Sequence, residues 1–94
     1  MRYIRQVRVE HPGTRNEHIS HIRYSITAGG TLYLQSRAET VRSIDHDGES
    51  YRSHNDRTGD GASVVTRTSG QGIRYIASVS DGRESNNLLS LPRF

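Results

Sequence analysis

The densest run of side chains able to do chemistry is Tyr51-Arg52-Ser53-His54-Asn55-Asp56-Arg57-Thr58-Gly59. Arg52 and Arg57 offer guanidinium forks and Tyr51 an aromatic face. His54, Asn55 and Thr58 add polar groups, and the backbone N–H groups near Gly59 are free to turn inward. Forks, hydroxyls, amides and a glycine-flanked backbone are what an anion or nucleotide site uses. In such a site Arg52 and Arg57 clamp phosphate and Tyr51 stacks on a base. The same composition also describes an exposed loop that is polar by default. Asn86 and Asn87 form a second polar pair and complete the candidate ligand-binding set, although capping a turn is the simpler role for them.

Other chemistries fit less well. His18 and His21 stand three apart on a strand-like segment, which puts them on opposite faces and apart from any shared metal. Asp45-His46-Asp47-Gly48 opens like a calcium loop. The twelfth-position glutamate is missing, because Asp56 or Thr58 stands there depending on which aspartate is first. A helix C-terminus with a polar cap, where histidine meets the dipole favourably, explains the same residues. Serine, histidine and aspartate are too abundant for a triad to be informative, and no Gly-x-Ser-x-Gly elbow is present. Gly70-Gln71-Gly72 lies between two strand patterns and reads as a turn rather than a phosphate loop. The residues therefore point to a non-enzymatic protein with no catalytic set, metal site or cofactor.

Composition narrows the class. The chain has no cysteine, which removes disulfides and thiolate chemistry. All 13 basic residues are arginine and they interleave with ten acids, for a formal charge of +3. That charge does not by itself demand nucleic acid. Guanidinium suits phosphate and carboxylate, while a GC-rich genome would produce the same bias. No apolar run is long enough for a membrane span or a signal segment, and a cytoplasmic protein is the simplest reading. Only 19 of the 94 residues are Val, Ile, Leu or Phe. A core this thin in a domain this small invites support from a second copy, so a homo-oligomer is expected.

The elements that must position these residues follow from periodicity. Residues 3–10 read as a strand with Tyr3, Val7 and Val9 on the apolar face, followed by a turn at His11-Pro12-Gly13-Thr14. Residues 18–27 alternate as a second strand and close a hairpin. Thr31-Leu32-Tyr33-Leu34 is a short apolar stretch. Ser36 and Glu39 form a capping box that opens a helix over 37–46, with Ala38, Val41 and Ile44 as its buried stripe and Gly48 just past its end. Residues 49–53 suggest a brief strand, 54–61 a loop, and 62–68 and 73–79 a hairpin around Ser69-Gly70-Gln71-Gly72. Ile73, Tyr75, Ala77 and Val79 share the apolar face of the last strand. The tail from Asn86 to Pro92 is apolar enough to dock. The pattern predicts one α+β domain over residues 1–94. Its sheet is antiparallel, with about five strands and one short helix on a face. Tyr3, Tyr24 and Tyr75 fall on aliphatic faces and are expected in the core.

Several of these segments carry a family resemblance. They are Tyr3-Ile4-Arg5-Gln6-Val7-Arg8, His18-Ile19, Arg74-Tyr75-Ile76-Ala77, Asp81-Gly82 and Asn86-Asn87-Leu88-Leu89-Ser90-Leu91-Pro92. Together they resemble the domain-of-unknown-function family 3892, small proteins of bacteria and phages. Members of that family tend to read Asp-Asn-Leu-Leu where this chain has Asn86-Asn87-Leu88-Leu89. The resemblance implies an independent small protein and no particular activity. The residues themselves lead to a binder of an anionic small ligand such as a nucleotide. The alternative is a nucleic-acid or protein interaction module that uses a sheet face or edge.

Overall fold

The computed structural model describes residues 1–94. It has strands β1 (Arg2–Val9), β2 (Ile19–Ser25), β3 (Tyr33–Ser36), β4 (Tyr51–Ser53), β5 (Ser63–Thr68), β6 (Arg74–Ser80) and β7 (Arg83–Ser85). One helix, α1 (Arg37–Asp45), and a 3₁₀ turn at Asn16–His18 complete it. No helix is long and apolar enough to cross a membrane. The strands form one sheet in the order β3-β2-β1-β4-β5-β6-β7. Every pair is antiparallel except β1 with β4, which run parallel over three residue pairs. The sheet is thus two antiparallel meanders joined at a short parallel seam, and α1 carries the chain across from β3 to β4. About five strands were expected and seven are present. The short edge strands β3 and β7 account for the difference, since alternation over three or four residues cannot be told from a loop.

A β-bulge controls which side chains reach the core. Ile4 pairs with Tyr24 and Gln6 with Arg23, so Arg5 has no partner on β2. The extra residue shifts the alternation by one. Ile4 and Val7 both point to the face that α1 covers, and both are fully buried. Tyr3, Gln6 and Arg8 point to the opposite face. Tyr3 therefore leaves the apolar face predicted for it, and Ile4 takes its place. The core comprises Ile4, Val7, Ile19, Ile22, Tyr51, Val64, Ile76, Leu88 and Leu91. On β6 the core residue is Ile76, one position out of phase with the predicted stripe. Tyr75 and Ala77 are also buried, so this strand is covered on both faces. Leu88 and Leu91 dock the tail as expected. Its end then extends β1: Val7 N donates to Pro92 O at 3.0 Å and Phe94 N to Val7 O at 3.2 Å.

Helix α1 begins at the predicted box. Ser36 Oγ accepts from Glu39 N at 3.1 Å, and Glu39 Oε1 accepts from Ser36 N at 3.0 Å. The face turned to the sheet is more polar than the predicted stripe. Thr40 and Ser43 are buried, Val41 and Ile44 are half-buried, and Ala38 is exposed. The reason is a hydrogen-bonded network beneath the helix. Arg2 Nη1 donates to Ser43 Oγ at 3.2 Å and to the Tyr51 hydroxyl at 2.8 Å. That hydroxyl donates to Gln35 Oε1 at 2.8 Å, and Thr40 Oγ1 lies 3.0 Å from the same oxygen. The Arg2 guanidinium also sits 4.9 Å from the centre of the Tyr24 ring. Because each polar group has a partner, the network costs little to bury and fixes the helix over the sheet.

Tyr51→Phe keeps the ring and deletes the link. It leaves Arg2 and Gln35 short of a partner, at about 2 kcal/mol. In a domain of this size the melting temperature should fall by on the order of 10 °C. Thermal unfolding followed by circular dichroism checks this, and an unchanged midpoint would show the network to be energetically idle.

Candidate anion-binding face

The predicted cluster at 51–59 is divided by the fold. Tyr51 is only 2% exposed and belongs to the network under α1, so it has no face to stack on a ligand. This corrects the expectation that it would stack. Asn55 and Thr58 hold the loop shut. Asn55 Oδ1 accepts from Arg57 N at 2.9 Å and Thr58 N at 3.3 Å, and Thr58 Oγ1 accepts from Asp60 N at 3.1 Å. The amides expected to face an anion are thereby spent within the loop. Arg57 is exposed and makes no side-chain bond. His54 packs edge-on against Tyr3, with ring centres 5.8 Å apart. Asn86 and Asn87 stand elsewhere. Asn87 Nδ2 donates to Ser85 Oγ at 3.2 Å, and Asn86 lines a cleft that includes none of residues 51–58.

Arg52 points away from Tyr51 by strand alternation and joins a different group. On the face opposite α1, the register sets Tyr3 beside Arg52, Gln6 beside Arg23 and Arg8 beside His21. Phe94 lies on the same face, with the Arg23 guanidinium 4.1 Å and the Arg8 guanidinium 4.8 Å from its ring centre. Arg23 Nη1 donates to Gln6 Oε1 at 3.1 Å, and Arg8 Nε donates to Phe94 O at 3.2 Å. Most of the five N–H donors on each arginine remain unused. None of Arg8, Arg23 and Arg52 is in an ion pair. The arginines that are paired are Arg2, Arg5, Arg15 and Arg74. Stacking on an aromatic ring holds a guanidinium flat without consuming its donors. Sequence inspection missed this group because Arg8, Arg23, Arg52 and Phe94 lie far apart in the chain. Strand alternation at Arg8 and Arg23 was the one available signal.

Two devices brace the face. Arg5, pushed out at the bulge, forks onto Asp56, with Nε to Oδ1 at 2.9 Å and Nη2 to Oδ2 at 2.8 Å. Its Nη1 donates to Gly30 O at 2.7 Å. Arg5 therefore ties the loop after β4 and the loop after β2 to the centre of the sheet, and it neutralises the Asp56 carboxylate. Gly61 brings the returning loop against Arg52. A Cβ there would press into the Ser53 carbonyl and stand 3.2 Å from Arg52 Nε.

A cleft of about 950 Å³ opens between the 3₁₀ turn and the tip of the β5–β6 hairpin. Arg15 and His18 face it, but so do Glu17 and Glu84. Glu84 accepts from the Tyr75 hydroxyl and from Asn16 Nδ2, both at 3.1 Å. Burial, followed by this bond, raises the Tyr75 phenol above its ordinary value. The cleft is thus mixed in charge, whereas Arg8, Arg23 and Arg52 on the sheet face pair with no aspartate or glutamate.

The fold and this face define a small mixed-sheet module that presents guanidinium groups on an open surface. The chain belongs to the family described as "Protein of unknown function (DUF3892)", whose model matches residues 3–92. The resemblance carried by the β1, β6 and tail segments is therefore confirmed. No curated protein and no solved structure matches the chain.

The hydrogen bond from Arg5 holds the Asp56 carboxyl below its usual value, and Thr66 followed by Arg74 does the same for Asp45. A carboxylate with a lowered folded value stabilises the protein above its unfolded value, and that stability disappears as the pH falls through the folded one. Resistance to urea should therefore be flat near neutrality and fall below about pH 4. Asp56→Asn should shallow that fall, and an acid limb identical to wild type would show the Arg5 fork to be without effect. Gly61→Ala should cost about 2 kcal/mol by overpacking, read as a lower urea midpoint.

Proposed function

We propose that the chain is a non-enzymatic binding module whose arginine face takes the phosphates of single-stranded nucleic acid. The observation that carries this reading is that Arg8, Arg23 and Arg52 share the sheet face away from α1 and that none of them pairs with an aspartate or glutamate. Phosphate is the anion that planar guanidinium forks suit best, and fixed forks bind it at little entropic cost. An open sheet bearing stacked guanidinium and aromatic groups suits a strand whose bases are unstacked, because every base offers a π-face. Tyr3 is the ring beside Arg52, while Phe94 backs the guanidinium groups of Arg8 and Arg23. The face lies outside the 950 Å³ cleft, whose lining includes none of Arg8, Arg23 and Arg52, and this favours an extended ligand over an enclosed one.

A free nucleotide in the cleft near Arg15, His18 and Asn86 is the second reading. The cleft's volume favours it, being within the range of small-ligand pockets. The carboxylates of Glu17 and Glu84 oppose it.

Fluorescence anisotropy with a labelled deoxythymidine oligomer, competed by ATP, tests both. Binding should weaken steeply with salt, because phosphate contacts release counterions. Arg8→Ala/Arg23→Ala/Arg52→Ala should remove roughly 2 from the slope of log K against log salt. It should leave the circular dichroism spectrum unchanged and lower the melting temperature only modestly, through the lost stacking on Phe94 and the lost bonds to Gln6 and Phe94. No binding at low salt, or binding that the triple variant leaves intact, would sink the first reading. ATP binding that Arg15→Ala abolishes would establish the second.

A further inference from the structure

We infer that β3 pairs with β3 of a second copy, extending the sheet through a symmetric dimer. β3 is an edge strand with β2 on one side only. Ser36 N already donates to Glu39 Oε1. By alternation, the N–H and C=O of Leu34 and Leu32 then face outward, unused. Natural edges are blunted by charge, proline or bulges. β3 is itself only four residues long but carries no charge, proline or bulge, while the opposite edge, Arg83-Glu84-Ser85, is shorter and charged.

Charge selects a second copy as the occupant. Residues 24–36 are the longest run in the chain without a charged side chain. The molecule is positive overall, and this is the stretch where two copies can meet without setting like charges opposite one another. The apolar surface agrees. Of the five exposed large hydrophobic residues, Ile26, Tyr33 and Leu34 lie on or next to this edge, at 55, 49 and 62% exposure. An antiparallel pair centred on Tyr33 sets Leu32 against Leu34 of the second copy in both directions. It also satisfies the outward amides and carbonyls of both residues. One edge contacting itself about a two-fold axis closes the assembly at two copies.

The two-fold axis of an antiparallel pair is perpendicular to the sheet. Both helices then fall on one side and both arginine faces on the other. Two linked faces would hold a long strand more tightly than one, by raising the effective concentration of the second contact. That consequence rests on the proposed function, whereas the dimer does not.

Sedimentation equilibrium on protein freed of nucleic acid separates the two ideas. The expected mass is twice 10.6 kDa. Leu34→Lys, at an exposed position, should raise the dimer dissociation constant by at least about tenfold through a charge placed in a desolvated strand pair. The circular dichroism spectrum should stay unchanged, and Leu34→Val should remain dimeric. Amide exchange at Leu34 should slow as concentration rises. A wild-type mass of 10.6 kDa at high micromolar concentration would overturn the inference. So would a dimer that Leu34→Lys leaves intact. Failure of the oligomer-binding experiment would leave the dimer standing.

Discussion

On the side away from β2, β1 serves two partners in succession, and the change from one to the other organises this protein. Its first half pairs with β4 and its second half with the tail at Val7. The bulge at Arg5 lies between the two. A strand with one partner along its length needs no such irregularity. Here β4 turns away at His54, and the sheet must be continued by a segment from the far end of the chain. The bulge increases the local twist and re-aims the side chains on either side of it. It also expels Arg5, whose guanidinium binds the departing loop through Asp56 and the β2–β3 loop through Gly30. One extra backbone residue thus fixes both the seam of the sheet and the composition of its two faces.

That same residue limits what the sequence discloses. Helix α1 was legible because a capping box is local chemistry, and the β5–β6 hairpin because strict alternation survives there. The tail was legible because its leucines have nowhere else to go. Strand β1 misled because period-two reading carries the phase of one end to the other, and a bulge breaks that phase without a marker in residue type. β6 misled differently. Tyr75 and Ala77 are buried as predicted, but on the face away from the nine-residue core, since both sides of the strand are covered. Under α1 the prediction sought an apolar stripe and the fold supplied a polar network. Thr40 and Ser43 fall outside that stripe, and their partners, Gln35 and Arg2, are assembled only in three dimensions.

The candidate site shows the same division. The loop at 51–59 was singled out for its inventory of polar groups, and the fold uses much of that inventory itself. Asn55 and Thr58 close the loop, Asp56 neutralises Arg5, and Tyr51 supports the helix. A polar group has value to a ligand only when the protein has not already satisfied it. Arg52 alone of that segment lies beside Tyr3 on the sheet face that also carries Arg8, Arg23 and Phe94, residues from distant parts of the chain.

The absence of lysine acquires a physical sense in this setting. Arginine does three different jobs here, and each uses the planar fork. Arg2 lies between rings and hydroxyls beneath the helix, where a compact and strongly hydrated ammonium would be poorly solvated. Arg5 makes a two-point contact with a carboxylate and still reaches a carbonyl. Arg8 and Arg23 lean on an aromatic ring with most of their donors unspent. Lysine could supply the charge at each position but not the geometry. A genome biased toward arginine would supply the residues without deciding where they stand. The four arginines with carboxylate partners serve the fold or a loop, while the three on the open sheet face have none. Free, flat and same-signed donors on a braced surface are what an incoming phosphate would need, and the fold itself makes little use of them.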